Sequence, residues 1–369
     1  MSKRLSLFIL ILSGLGLLLA GAQYIKETGL LRKYPAAQYF SEEEERLRPA
    51  YAQLSKKEKA VYHALYEGIS QKKEKIALPS EISGDTYSKL YCLVEKQESE
   101  LFYAASTYYT AEKLRDAKIV YREGDVPYTE KEAEFRAAKA VALKSVSFNE
   151  GDYAKALGIH DYLIANCKYT DSDDTYIPTA YGCLVEKKAN CEGYAKAFRL
   201  LASECGLPCV LVTGLTDTGE NHAWNQVMID GEWRNIDVTW DDSDVSGDRR
   251  RLYFLCSDEE FLRTHTPDNY GFKAFACGGE SNDYYVRSGK VADDLASAEN
   301  MICRAVQDGQ TIIEVKFKTD GLYDQFKSIY IDGNRLFDVL MLEGVGLHGE
   351  VAVSVREDKE ERCITLMLS

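Results

Sequence analysis

No C-x-x-C pair occurs in the chain, although it carries ten cysteines. Neighbouring thiols therefore cannot assemble a zinc ribbon or a thioredoxin-type redox motif. Basic surplus is missing too: 45 Lys and Arg stand against 59 Asp and Glu, a formal net charge of −14. A nucleic-acid binder needs a basic face, so no nucleic-acid partner is expected. No internal repeat and no low-complexity block is present, which removes repeat arrays from consideration. The acidic cluster Asp237, Asp241, Asp242 and Asp244 does not follow a calcium-loop spacing, so neither a metal nor another cofactor is expected. What remains is a globular composition, 45% hydrophobic and 28% charged over 369 residues. That length allows two or three domains and a core that folds without disulfides.

The first residues read as an address. Lys3 and Arg4 precede an apolar run from Leu5 to about Ala22, and Ala20-Gly21-Ala22 has the small-x-small form of a cleavage site. Residues 1–22 are thus a signal peptide or, uncut, an N-terminal membrane anchor. Positive charge on the N-terminal side orients the remainder outward, an extracytoplasmic location with membrane contact only through this segment. Disulfides become possible there. If one cysteine is a free nucleophile, nine remain, and an odd number cannot all pair. Most are read as small buried apolar residues.

A tether or helix start follows, with the acidic run Glu42 to Glu45. Ser55 and Glu58 have capping-box spacing and open a helix. Thr129 and Glu132 repeat the spacing and predict a second one toward Ser147. A third covers about Tyr153 to Cys167. The stretch Leu101 to Tyr121, rich in Tyr, Val and Ile, is expected to contain strands. The tail combines a helix near Asp294 to Val306 with strands at Ile312 to Phe317, Val351 to Val355 and Cys363 to Leu368.

The chemistry concentrates between Ala189 and Asp241. Asn190 is a favoured helix N-cap. From Tyr194 the positions Ala197, Phe198, Leu201, Ala202 and Cys205 repeat on one helix face. Cys191 lies in the first turn of that helix, where the partial positive charge of the helix N-terminus stabilises a thiolate. Gly206 and Pro208 end the helix, and Cys209 to Leu215 reads as a strand. Two further strands, His222 to Ile229 and Glu232 to Trp240, flank Asp230-Gly231, a two-residue hairpin signal. That turn opposes Ile229 with Glu232, Trp224 with Asp237 and His222 with Thr239. His222 and Asp237 then share a face as diagonal neighbours, about 7–8 Å apart at the backbone. A nucleophile, a base and an orienting acid are thereby available.

The segments Ala189-Asn-Cys191-Glu-Gly-Tyr-Ala195, His222-Ala-Trp-Asn225, Gly231-Glu-Trp233 and Asp237-Val-Thr-Trp-Asp241 resemble the transglutaminase-like superfamily, and most of all its exported bacterial members. The resemblance implies an α+β fold with a papain-like core, the Cys on a helix packed against an antiparallel sheet bearing the His and the Asp. It assigns Cys191 as nucleophile, His222 as general base and Asp237 as the orienting group. The expected activity is a peptidase or amidase acting through a thioester. The alternatives are protein-glutamine transglutaminase activity or a non-catalytic cell-envelope interaction protein. The expected partner is a peptide or protein substrate, with cell-wall peptide as one candidate. The expected layout is signal or anchor 1–22, tether 23–45, helix-rich region 46–150, catalytic domain 151–280 and a small α+β module 281–369.

Other residues receive plainer readings. Tyr181 is a candidate second oxyanion donor or a packed core tyrosine. Trp224, Trp233 and Trp240 wall the site or fill the sheet face. His160-Asp161 is a packed or capping pair. His265 and His348 are expected at the surface or in loops.

Overall fold

A computed structural model describes residues 33–123, 127–147, 150–242, 250–279, 283–342 and 352–369. The expected export segment 1–22, His348 and Asp244 lie outside the described residues. Among the described residues no helix is long and apolar enough to cross a membrane.

Short polar side chains start the first helices. Ser41 caps α1 (Glu42–Arg46) with a full capping box to Glu44, so the acidic run is a helix start. After α2 (Pro49–Ala52), Ser55 and Glu58 form the same box at the head of α3 (Lys56–Ser70). Strand β1 (Lys75–Ser83) follows, then α4 (Gly84–Gln97) and β2 (Lys113–Lys118), which pairs antiparallel with β1. The stretch Leu101 to Tyr121 thus supplies one strand and an isolated bridge, Ala104 to Tyr121. Its partner β1 hides from pattern reading because Pro79 sits inside it, where the pairing register shifts between Ala77 and Ile82.

Helix α5 (Tyr128–Leu143) begins before the anticipated Thr129 cap, with Pro127 at the N-cap position and no side-chain cap. Thr129 is already helical there, and Glu132 pairs with Lys72 instead. Helix α6 (Asp152–Asn166) leads to β3 (Lys168–Tyr169), a π-helical turn (Gly182–Glu186) and β4 (Lys188–Ala189).

The functional region follows: α7 (Cys191–Glu204), β5 (Cys209–Thr216), β6 (Asn221–Ile229), β7 (Glu232–Ile236), α8 (Val238–Asp241), β8 (Phe254–Cys256), α9 (Asp258–Phe261) and β9 (His265–Pro267). The five strands form one antiparallel sheet in the order β8-β7-β6-β5-β9. Helix α7 packs across β5 and β6. One hydrophobic core runs from Phe40 to Tyr285 and takes in Cys363, so α3 and α4 share a core with the sheet.

Beyond it, a four-stranded sheet has the order β10-β11-β13-β12 (Val291–Ala292, Ile312–Phe317, Cys363–Leu368 and Val353–Asp358). Helix α10 (Leu295–Gln307) and its neighbours cover a second core built around Ile302, Phe317 and Phe326. The molecule is α+β: the five-stranded sheet is antiparallel, and the four-stranded one is antiparallel except for its parallel β10–β11 pair.

The core carries buried charge. Lys196 of α7, 3% exposed, pairs with Glu95 of α4, 5% exposed, at 2.6 Å and with Glu192 at 2.7 Å. Lys96 reaches Glu192 at 2.9 Å. Gln97 donates to the Leu211 carbonyl at 2.7 Å and accepts from its amide at 3.1 Å, fastening α4 to the sheet. Replacing Lys196 with Met leaves two acidic groups under-compensated away from water. The expected loss is about 3 kcal/mol, read from urea unfolding.

Candidate active site

Cys191 opens α7. The Asn190 side chain accepts from the Gly193 amide at 3.1 Å, as its N-cap position requires. The first-turn N–H groups of a helix have no intrahelical partner, so the Cys191 amide is of the kind that can serve a developing negative charge. The Cys191 side chain is half-buried and packs against Ala195, Leu211 and Ala223. Seven of the ten cysteines are buried.

The β6–β7 hairpin has the anticipated register. Ile229 opposes Glu232 and Asn225 opposes Ile236, around Asp230 and Gly231 with φ of 51° and 85°. Both values lie in the left-handed region that a two-residue turn of this kind uses. The strand expected through Trp240, however, ends at Ile236. Asp237 turns the chain instead: its Oδ1 accepts from the Thr239 amide at 2.9 Å and from the Trp240 amide at 3.3 Å, capping the four-residue α8. An Asp can end a strand and start a helix with one carboxylate, which a strand-pattern reading misses. The other oxygen still reaches His222: Asp237 Oδ2 lies 2.6 Å from His222 Nε2.

His222 and Asp237 are both buried. Burial alone would lower the His222 pKa. The Asp237 charge and hydrogen bond, with a further hydrogen bond and charge from Cys191, push it up to about 10. Nε2 is engaged by Asp237, so Nδ1 is the nitrogen left to face the sulfur. Burial would likewise raise the Asp237 carboxyl. The His222 charge, with hydrogen bonds from His222 and His265, holds it well below the usual carboxylate range. Cys191, His222 and Asp237 are therefore in relay contact.

His265 is the residue that sequence reading misplaced. It is 1% exposed, and its Nε2 lies 3.2 Å from the same Asp237 Oδ2. The expectation of a loop histidine had no local signal against it: β9 is three residues long, and its neighbours arrive from distant segments. The Trp224 ring is 5.1 Å and the Trp240 ring 4.4 Å from that of His265, so both wall the site. Trp233 instead stacks on Phe275 at 4.0 Å.

Tyr181 does not meet Cys191. Its hydroxyl donates to Glu134 at 2.6 Å and its ring stacks on Phe102 at 4.8 Å, so it is a packed core tyrosine. His160 bridges Asp161 and the buried Asp241, each at 3.1 Å, and ties α6 to α8. The Tyr194 hydroxyl donates to Asp242 at 2.5 Å. The carboxylates of Asp237, Asp241 and Asp242 thus serve different sets of partners.

His222, Asp237 and His265 bring potential metal-ligand atoms within 4.8 Å of one another. Two donors on one tetrahedral zinc stand about 3.3 Å apart, given bonds of about 2.0–2.1 Å. The 2.6 Å contact between His222 and Asp237 is instead a hydrogen bond. The donor set fits a proton relay better than a metal.

The family model described as the transglutaminase-like superfamily matches residues 139–238. That window contains Cys191, His222 and Asp237 and stops short of His265. This segment belongs to the transglutaminase-like superfamily. The transglutaminase-like segment is also similar to the kyphoscoliosis peptidase of Mus musculus, 34% identical over 101 residues, covering 22% of this chain and 15% of that protein. The Homo sapiens counterpart is 33% identical over 101 residues with the same coverage, 22% and 15%. The match thus spans a small part of either relative's length. Among solved structures, a TGase has 18% identity and a TM-score of 0.29, covering 37% of this chain and 38% of its own. A candidate cysteine protease from Cytophaga hutchinsonii has 20% identity and a TM-score of 0.28, covering 41% and 45%.

Proposed function

We propose that the chain is a thiol-dependent enzyme acting on amide bonds of a peptide or protein, with Cys191 as nucleophile, His222 as general base and acid, and Asp237 as its orienting group. The observation that carries this reading is the relay from a helix-terminal cysteine through a buried, proton-holding histidine to a buried carboxylate. His222 takes the Cys191 proton on Nδ1. The thiolate attacks the amide carbonyl, and the oxyanion gathers at the Cys191 amide. The C–N bond breaks as the imidazolium gives its proton to the leaving amine. A thioester remains on Cys191. Water, deprotonated by His222, then attacks the thioester; the C–S bond breaks and the thiol is restored.

Hydrolysis is favoured over amine transfer because water is always at hand, whereas transfer needs a shielded channel for the acceptor amine. The N-terminal address supports work outside the cytoplasm, where cell-wall peptides are one available substrate class.

One experiment tests the reading. The full chain is offered a glutamine peptide, a lysine isopeptide and peptidoglycan fragments, each with and without a labelled primary amine, while iodoacetamide labelling is followed at each cysteine. Cleavage without amine incorporation is expected, with Cys191 alkylated faster than the other nine thiols. Stable incorporation of the amine would favour transamidation. Equal labelling of Cys191 and its neighbours would remove the activated nucleophile.

A further inference from the structure

Asp237 Oδ2 serves two imidazoles, His222 at 2.6 Å and His265 at 3.2 Å. The second comes from β9, the edge strand paired with β5, where His265 stands opposite Thr216. Strand β9 approaches this closely because β5 offers Gly214 to it; a Cβ there would lie 2.1 Å from the Thr266 carbonyl oxygen. The His265 ring is stacked on Phe261 at 4.0 Å and boxed by Trp240 at 4.4 Å and Tyr253 at 5.7 Å. Its Nδ1 meets the Thr264 hydroxyl at 2.9 Å. A hydroxyl can donate, so the tautomer with Nε2–H and bare Nδ1 satisfies both ends of the ring.

We propose that His265 is a positioning residue for the thiol chemistry, locking the Asp237 carboxylate in the rotation that aims it at His222. The inference rests on the function proposed above. Two backbone amides hold Oδ1. They give Oδ2 no donor, so small joint rotations about the Cα–Cβ and Cβ–Cγ bonds, pivoting on Oδ1, can still lengthen its contact with His222. A second donor on Oδ2 stops that movement. The aromatic box excludes the water that would otherwise supply such a donor with no fixed direction. If the box only needed filling, phenylalanine would serve as well. The histidine differs from it by the N–H aimed at Oδ2.

The titratable groups around the relay are few. Asp237 faces His222 from β6, His265 from β9 and, at longer range, Tyr253, whose hydroxyl bonds Glu361. His222 faces Asp237 and Cys191, and Cys191 also faces Tyr169 from β3. The pH dependence of Cys191 alkylation therefore reports on the relay.

The test compares His265→Phe and His265→Gln in the full chain. Phenylalanine keeps the ring and loses the donor; glutamine offers an amide N–H in its place. Iodoacetamide alkylation of Cys191 is followed across pH by peptide mass analysis, beside thermal melting. The expected result is a His265→Phe protein that melts like wild type. Its alkylation below neutral pH slows by about 10- to 100-fold, the scale of a small misplacement. Its acid limb moves toward the pH of an ordinary thiol. His265→Gln recovers most of the rate. A folded His265→Phe with the wild-type rate and limb would overturn the proposal, as would a His265→Gln no better than His265→Phe. Should the phenylalanine variant not fold, His265→Met serves as the non-donor under the same criteria. The underlying functional reading fails separately: wild-type Cys191 would then alkylate no faster than the His222→Ala protein.

Discussion

Turnover of an amide substrate by the Cys191→Ala protein is expected to fall at least ~10⁴-fold, with its melting temperature close to that of wild type. In the proposed mechanism the Cys191 sulfur forms the thioester, and alanine offers no nucleophile in its place. Its removal costs the fold little. Cys191 is half-buried and touches small apolar side chains, Ala195 and Ala223 among them, and alanine suits a first helical turn. The Asn190 cap and the first-turn amides stay in place. Substrate should therefore still bind, and single-turnover analysis should find no acyl-enzyme. Wild-type turnover in Cys191→Ala would assign the chemistry to another group.

Asp237→Asn is expected to reduce turnover by about 10⁴-fold through a different route. Asparagine can keep its oxygen on the Thr239 and Trp240 amides. Its NH₂ then occupies the place of Oδ2 and faces Nε2 of His222. That nitrogen must become an acceptor, so the remaining ring proton moves to Nδ1 and points at the sulfur. In that tautomer Nδ1 has no lone pair to accept the thiol proton, as the proposed mechanism requires.

Stability should change with pH as well. The His222 pKa is raised from 6.5 to about 10 in the fold. A raised pKa contributes stability that is fully present below the unfolded value and is lost as pH rises through the folded one. Wild-type unfolding free energy should decline between about pH 6.5 and 10 for this reason. Asp237 is depressed below 3.8, so its contribution is present above 3.8 and disappears only as pH falls well below that. Urea unfolding over a pH series checks both limbs. In Asp237→Asn the alkaline decline should flatten, because the charge that raises His222 is gone.

The site is legible in sequence to differing depths. Asn190 and Cys191 are readable because capping is local: a side-chain oxygen and an amide a few residues away settle where α7 begins. The β6–β7 register is readable because Asp230-Gly231 specifies the turn and the turn counts the pairs. Asp237 is half readable. Its face is anticipated, whereas its cap on α8 arises where a carboxylate competes with the ladder for backbone amides. Tyr181 shows the opposite limit, because a tyrosine near the nucleophile in number lies in a core with Phe102 and Glu134.

The sequence alone determined the helix that presents Cys191 and the hairpin that brings His222 close to Asp237. Both depend on contacts within a few residues or across one turn, where pattern and geometry are tied. Tertiary structure alone decided that His222 lies between thiol and carboxylate, that α4 grips α7 through Lys196 and Glu95, and that His265 shares Asp237. Those contacts join elements far apart in the chain. They come from how helices and strands pack around one core, and no local spacing encodes that.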